Sequence, residues 1–295
     1  MWSAIEQLLA AQHPDFQGIT HSHQCHGGEV NQAWQLVSGE HHYFVKSNDR
    51  EMLSQFNQEA DELALLARTG CVRVPKVFGT GTSRHHSFLV LEYLPPAPLS
   101  VDSAAQLGRQ LAQLHRWSEQ PRFGLDEDHA VTSSLQPNNW QTRWSCFFAE
   151  QRIGWQLQIA AEKGLTFGDN DEIIDCVAHI LETHHPQPSL LHGDLWPGHC
   201  AVSHNQPWIF NPACYWGDRE CDLALWQPDN VLTAPLIEAY QQQYPLPEDY
   251  RQRQPVYQLY YLLNRACAFG EQWRDAAQQT INSLLHQQLR LKRSR

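Results

Sequence analysis

The stretch His192-Gly193-Asp194-Leu195-Trp196-Pro197-Gly198-His199 decides how this chain is read. Taken alone, an Asp in a short loop bounded by Gly and Pro is an ordinary turn former. The pattern continues, however. Trp208-Ile209-Phe210-Asn211-Pro212-Ala213 reads as a strand that ends in a polar residue, and Gly217-Asp218-Arg219-Glu220-Cys221-Asp222 follows. A loop Asp, a polar residue five positions on, and a strand ending in a second polar residue is an order used in phosphoryl-transfer sites. In that order Asp194 accepts or orients the proton of a substrate hydroxyl, and His199 and Asn211 stand where divalent ions are held.

A second element lies upstream. Lys46 ends the run Tyr43-Phe44-Val45-Lys46, and Glu59 falls three residues after Phe56 and four before Leu63, on the apolar face of its helix. A carboxylate there needs a partner, because an unpaired buried charge is costly. Lys46 is the natural candidate, although a strand-end Lys can also be plainly exposed. In kinases such a pair sets the Lys on the nucleotide phosphates. His26-Gly27-Gly28-Glu29-Val30-Asn31 offers two adjacent glycines ahead of a strand. Gly27 and Gly28 let backbone approach a phosphate closely, although an ordinary turn contains the same pair. Phe88-Leu89-Val90-Leu91-Glu92-Tyr93-Leu94 reads as a buried strand. Its position makes Glu92, Tyr93 and Leu94 the candidate hinge for adenine, while its side chains suit a plain core strand equally well. His85-His86 and His184-His185 read as solvated turns. Cys25 stands beside the glycine loop, but nothing in the sequence lowers its pKa.

The order of elements predicts the architecture. Strands are expected at Ala33–Val37, His42–Lys46, Val72–Phe78 and Phe88–Leu91, with a helix from Glu51 to Arg68 that stops at Gly70. Pro95-Pro96-Ala97-Pro98 breaks the pattern. Helices then dominate, at Ala104–Trp117, Trp144–Glu162, Asp171–His184 and from Ala234 to Leu289, with a loop and hairpin over Ser189–Asn211. This predicts an α+β chain with a small β-rich N-terminal lobe, residues 1–94, and a larger helical lobe, residues 95–295. The net charge of −11 disfavours a nucleic-acid backbone or an anionic membrane as partner, so any ATP site must rest on local features. No apolar run reaches the length of a membrane span, no basic leader opens the chain, and the eight cysteines form no CxxC pair. A cytoplasmic location is the simplest expectation.

At this point the chain resembles a known family. The His192–Gly198 loop, Gly217-Asp218-Arg219-Glu220 followed by Asp222, and Asn138 with Trp140, Trp144, Phe147 and Phe148 are similar to the fructosamine kinase family, its bacterial members in particular. The resemblance runs from about Ser22 to the last helix. It implies a bilobal protein-kinase-like fold related to aminoglycoside and choline kinases. It also implies ATP-dependent phosphorylation of the sugar 3-hydroxyl of ketosamines, which are sugars attached to amines by glycation. By match, Asp194 is the catalytic Asp, Lys46 and Glu59 form the ion pair, and Glu92 to Leu94 are the hinge. Trp196 and Asp218 would lie on the acceptor side, with Trp196 stacking on a sugar face.

The chain departs from the family pattern at two positions. The family has Asn where this chain has His199, and Asp where it has Asn211. Both are the expected metal ligands. Magnesium prefers carboxylate oxygen, and imidazole suits zinc, copper or iron better. The two changes together should weaken magnesium binding, with manganese as a second candidate ion. An active kinase therefore competes with a pseudoenzyme that binds nucleotide or a protein partner without useful turnover. Another acceptor, such as an aminoglycoside or a choline-like alcohol, is a third reading.

Overall fold

The computed structural model describes residues 1–13, 15–25, 30–132, 134–227 and 230–293. The glycine pair Gly27-Gly28 lies outside these residues. The chain folds as two compact units, one built from Met1–Leu107 with Pro197–Pro212, the other from Gly108–Trp196 with Ala213–Arg295.

The first unit opens with α1 (Trp2–Gln12), followed by β1 (His21–Cys25), β2 (Gln32–Ser38) and β3 (His41–Asp49). Next come α2 (Leu53–Thr69), β4 (Val77–Thr82) and β5 (His86–Glu92). The strands form one antiparallel sheet in the order β1-β2-β3-β5-β4. On one face Tyr43 and Val45 of β3 join Leu36, Phe88 and Val90 against Ile5 and Leu9 of α1. Lys46 has the opposite parity, so it points to the other face, paired in register with Ala33 and Leu89. That face is covered by α2, which packs along β4 and β5. A strand covered on both sides reads as a continuous apolar run, which is what Phe88–Leu91 is. The expected stop of α2 at Gly70 is present, with left-handed φ of 65° and an N–H donated to the Ala67 carbonyl.

Two expectations need correction. The strand predicted from Val72 begins only at Val77. Pro75 has no N–H to give a ladder, and the Arg73 carbonyl accepts from Ile209 instead. Nor does the Pro95–Pro98 break divide the chain. Ala97 exchanges two backbone hydrogen bonds with Val202, at 2.9 and 2.8 Å. Leu94 packs with Ala201 and Trp208. The hairpin of strands Cys200–Ser203 and Gln206–Ile209 is thereby drawn into the first unit.

Helix α3 (Val101–Arg116) leads into the second unit. The helix expected over Trp144–Glu162 is present as α4 (Trp144–Phe148) and α5 (Trp155–Glu162), joined by one π-helical turn over Ala149–Gly154. α6 (Asn170–Leu181) starts at Asp169, whose carboxylate accepts from the N–H groups of Asp171 and Glu172. α7 (Glu220–Ala224), α8 (Thr233–Gln243), α9 (Tyr250–Phe269) and α10 (Arg274–Arg293) complete it. Phe147, Phe148, Leu157, Val177, Leu263 and Ile281 belong to a single apolar core. Strands Ser189–Leu191 and Tyr215–Gly217 pair antiparallel, so Leu191 faces Tyr215 just before the His192 loop. Among the described residues no helix is long and apolar enough to cross a membrane. Among the described residues no disulfide joins any of the eight cysteines. Burial pushes the Cys25 thiol up, with a backbone contact at Gln35 opposing it, so the thiol is not activated.

Candidate active site

The candidate residues fall into two sets, one in each unit. In the first unit Lys46 Nζ donates to Glu59 Oε1 at 2.5 Å, and the two side chains are 12% and 15% exposed. The expected pair is therefore formed. Lys46 Nζ also donates to Asn211 Oδ1 at 2.5 Å, and Asn211 Nδ2 lies 3.3 Å from His199 Nε2. Glu59, Lys46, Asn211 and His199 thus form one continuous polar chain. Asn211 holds a left-handed backbone, φ 54°, which Asn tolerates better than most residues. Of the hinge candidates, the Glu92 N–H donates to the Lys76 carbonyl at 2.8 Å and the Tyr93 N–H to the His42 carbonyl at 3.4 Å. The Glu92 carboxylate accepts from the Lys76 N–H at 3.2 Å and lies 3.7 Å from Arg73. Leu94 is buried.

In the second unit a frame of buried groups fixes the Asp194 loop. Asp222 Oδ2 accepts from the His192 N–H at 2.7 Å, and Oδ1 accepts from the Gly193 N–H at 2.9 Å. His115 Nε2 lies 3.2 Å from Asp222 Oδ2, and its Nδ1 lies 2.9 Å from the Tyr240 hydroxyl. Burial alone would raise the Asp222 pKa. The hydrogen bond and charge of His115, the His192 charge and the Gly193 N–H outweigh it and hold the carboxyl below the usual range. Gly193 is required here. Its φ is 84°, and a Cβ would sit 1.8 Å from the Ala213 carbonyl oxygen. The Tyr215 ring lies against the same glycine, and the Arg152 guanidinium is 4.2 Å from that ring. Arg152 is fully buried and donates to Pro137 O and Asn138 Oδ1, each at 2.6 Å.

Asp218 and Trp196 are placed differently from one another. Asp218 is 1% exposed, with Oδ2 accepting from Tyr257 at 2.5 Å and lying 2.7 Å from His184 Nε2. Its Oδ1 accepts from the Glu220 N–H at 3.1 Å. These contacts make Asp218 an internal latch of its own motif, with no exposed surface for an acceptor. They also correct the reading of His184 as a solvated turn. Neighbouring Glu220 is held bidentate by Arg253, at 2.9 and 2.6 Å. Burial and the Asp218 charge nevertheless push Glu220 up, while the hydrogen bonds of Asp218 hold that carboxyl down against burial. Trp196 is half-buried, with the Arg265 guanidinium 5.2 Å from its ring. Arg265 also meets Tyr261, Phe269 and Trp273 at 5.0 to 5.5 Å.

The sequence reading gave no part in the site to His115, Arg152, His184 or Tyr257. His115 carried a usable signal, because it falls four residues after Leu111 on the apolar face of α3. The donors in the first unit fit a nucleotide phosphate through Lys46. They do not fit magnesium in the same way. His199 offers a nitrogen, Asn211 an uncharged oxygen, and the Glu59 carboxylate is committed to Lys46.

Comparison with known proteins follows the same line. A family model described as fructosamine kinase matches residues 1–287. A probable ketoamine kinase of Klebsiella aerogenes is 54% identical over 285 residues, covering 97% of this chain and 100% of that protein. One from Escherichia coli K12 is 53% identical, covering 97% and 99%. A crystal structure from Haemophilus somnus carrying the name fructosamine-3-kinase has a TM-score of 0.93 at 42% identity, over 97% of this chain and 98% of its own. Aminoglycoside phosphotransferase APH(4)-Ia, solved with AMP-PNP and hygromycin B, has a TM-score of 0.68 at 13% identity, over 96% and 98%. That last likeness speaks to the kinase-like fold alone, and it agrees with the fold expected from the sequence.

Proposed function

The chain belongs to the fructosamine kinase family, and from that premise we propose that it transfers the γ-phosphoryl group of ATP to a sugar hydroxyl of a ketosamine. The observation that carries this reading is the Lys46–Glu59 pair, formed at 2.5 Å where the sequence required it. A largely buried ammonium paired with one carboxylate is pre-set to hold phosphate oxygens. Asp194 receives the proton of the acceptor hydroxyl as that oxygen bonds to the γ-phosphorus and the bond to the ADP oxygen breaks. The Asp222 frame fixes the backbone from which Asp194 projects. Trp196 offers an aromatic face for a sugar ring. A divalent cation would supply charge neutralisation when bound, and His199 and Asn211 stand at the positions that would hold it, where the donors present suit magnesium poorly and leave manganese as the second candidate. The relatives' names favour a ketosamine over an aminoglycoside or a choline-like alcohol and lend nothing to a fold without turnover.

The test is ADP release with a simple fructosamine acceptor, in magnesium and again in manganese, for the parent and for Asp194→Ala. The parent turns over and Asp194→Ala falls by at least about a thousandfold while still binding AMP-PNP. Turnover that survives in Asp194→Ala would remove the assigned base. A parent inert in both metals with every ketosamine tried would sink the activity.

A further inference from the structure

Helix α9 turns several side chains toward the segment that carries Asp194. Tyr257 donates to Asp218 at 2.5 Å, and the Arg265 guanidinium lies 5.2 Å from the ring of Trp196, two residues beyond Asp194. Tyr260 stands between these two on the helix, three residues after Tyr257 and five before Arg265. Its ring meets Phe148 edge-on at 6.2 Å, with the Arg152 guanidinium 6.0 Å from its centre, and the residue is only 9% exposed.

The hydroxyl of this buried ring differs from its neighbours. The Tyr240 hydroxyl is engaged with His115 and the Tyr257 hydroxyl with Asp218. The Tyr250 hydroxyl has no partner and is sealed from solvent. Among the described residues the Tyr260 hydroxyl makes no hydrogen bond either, yet it is not sealed, so the small open part of the residue includes it. A buried polar group without a protein partner is costly unless something else completes it. Burial raises the pKa of this phenol, the Arg152 charge opposes the rise, and the Asp194 charge adds to it. The phenol therefore keeps its proton, and a protonated phenol both donates and accepts, as a sugar hydroxyl does.

From this placement we infer that Tyr260 is a specificity residue, whose hydroxyl bonds a second hydroxyl of the acceptor sugar while Asp194 takes the proton of the first. The inference rests on the kinase reading above and narrows it to polyol acceptors. The reacting oxygen is excluded as its partner, because a donor there would draw on the lone pairs that attack phosphorus. A choline-like alcohol has no second hydroxyl to offer, so it would leave the phenol unpaired at the site and be disfavoured.

The experiment measures kcat/KM of the full chain for a simple fructosamine and for its deoxy analogues, each lacking one hydroxyl other than the one phosphorylated. It compares the parent, Tyr260→Phe and Tyr250→Phe. The parent loses about tenfold on one analogue. Tyr260→Phe loses about tenfold on the complete acceptor, chiefly through KM, and treats that acceptor and the same analogue alike within about twofold. Its urea midpoint and AMP-PNP affinity stay parental, and Tyr250→Phe follows the parent throughout. A Tyr260→Phe that keeps the parental preference for the complete acceptor overturns the inference and leaves the kinase reading standing. So does one that loses kcat equally on every acceptor, or an equal loss in Tyr250→Phe. A parent inert with every acceptor sinks the kinase reading and this inference with it.

Discussion

Asp222→Asn tests whether the buried frame fixes the catalytic loop. In the parent, Oδ1 takes the Gly193 N–H at 2.9 Å, and Oδ2 takes the His192 N–H at 2.7 Å with His115 Nε2 at 3.2 Å. A carboxamide must put its NH2 group where one of those oxygens was, so at least one buried N–H then faces a donor. The lost charge-assisted bond is worth about 1.5–3 kcal/mol, and the orphaned donor costs about 1–3 kcal/mol more. Taking the middle of that range gives a loss of about 4 kcal/mol. At roughly 2–4 °C per kcal/mol for a chain of this size, the thermal midpoint should fall by about 8–16 °C. The acid limb supplies a second signature. Asp222 is held below the ordinary carboxylate range in the fold, because His115 and the backbone N–H groups outweigh burial. Its contribution is therefore complete above the unfolded pKa of about 4 and is lost as pH falls through the folded value. The gap between parent and variant should narrow on that descent. Urea unfolding followed by tryptophan fluorescence, at pH 7 and at steps below pH 5, measures both. Turnover should fall while AMP-PNP affinity is kept, because Lys46 and Glu59 pair within the other unit. A loss under about 1 kcal/mol at pH 7, or a gap that stays constant on acidification, would refute the idea that this carboxylate carries the frame.

Three more outcomes follow from the geometry. Gly193→Ala forces a Cβ to within 1.8 Å of the Ala213 carbonyl at a φ of 84°, so it should destabilise by about 4 kcal/mol or more by urea unfolding. A well-folded Gly193→Ala with parental stability would mean that the loop is not held as described. Lys46→Met should weaken AMP-PNP binding by about tenfold or more in calorimetry while leaving the circular dichroism spectrum unchanged, and undiminished affinity would detach Lys46 from the phosphates. His129 is buried beside Arg152, and burial with that charge depresses its pKa to about 3 against its bond to the Cys214 carbonyl. Its neutral ring therefore stabilises fully above about pH 6.5 and loses that contribution as pH falls toward the folded value. Between pH 6.5 and 5 the loss is about 2 kcal/mol, and it should be largely absent in His129→Gln; an equal loss in both proteins would assign the acid sensitivity elsewhere.

What was legible in the sequence was local. The spacing of Phe56, Glu59 and Leu63 put a carboxylate on an apolar helix face, and Lys46 lies on the sheet face that this helix covers. The same rule, applied to Leu111 and His115, would have flagged a second buried titratable group. It would not have named Asp222 as the partner, because 107 residues separate the two and only the folded chain brings them within 3.2 Å. His184 failed for the same reason. Read beside His185 it is a polar turn, and only Asp218, 34 residues on, makes it part of an interior network. The domain break was misplaced because Pro95–Pro98 has the composition of a linker. Its two hydrogen bonds to Val202 come from a segment that composition cannot see.

The buried charges around the Asp194 loop also bear on why these residues are there. Asp222 with His115, Asp218 with His184 and Tyr257, and Glu220 with Arg253 are all taken out of water within one short motif and its neighbours. Pairs of this kind add little stability on balance, since desolvation offsets the attraction, and apolar replacements of similar volume often do as well. An apolar core, however, cannot aim a backbone. Asp222 accepts from two consecutive N–H groups, His192 and Gly193, so a displacement of the loop in any direction breaks a charge-assisted bond. Gly193 carries no Cβ to strike the Ala213 carbonyl, and the Ala213 N–H closes the other side by donating to the His192 carbonyl at 2.8 Å. The arrangement therefore exchanges stability that apolar packing could supply for a fixed direction of the chain at Asp194, the residue whose orientation the proposed proton transfer depends on.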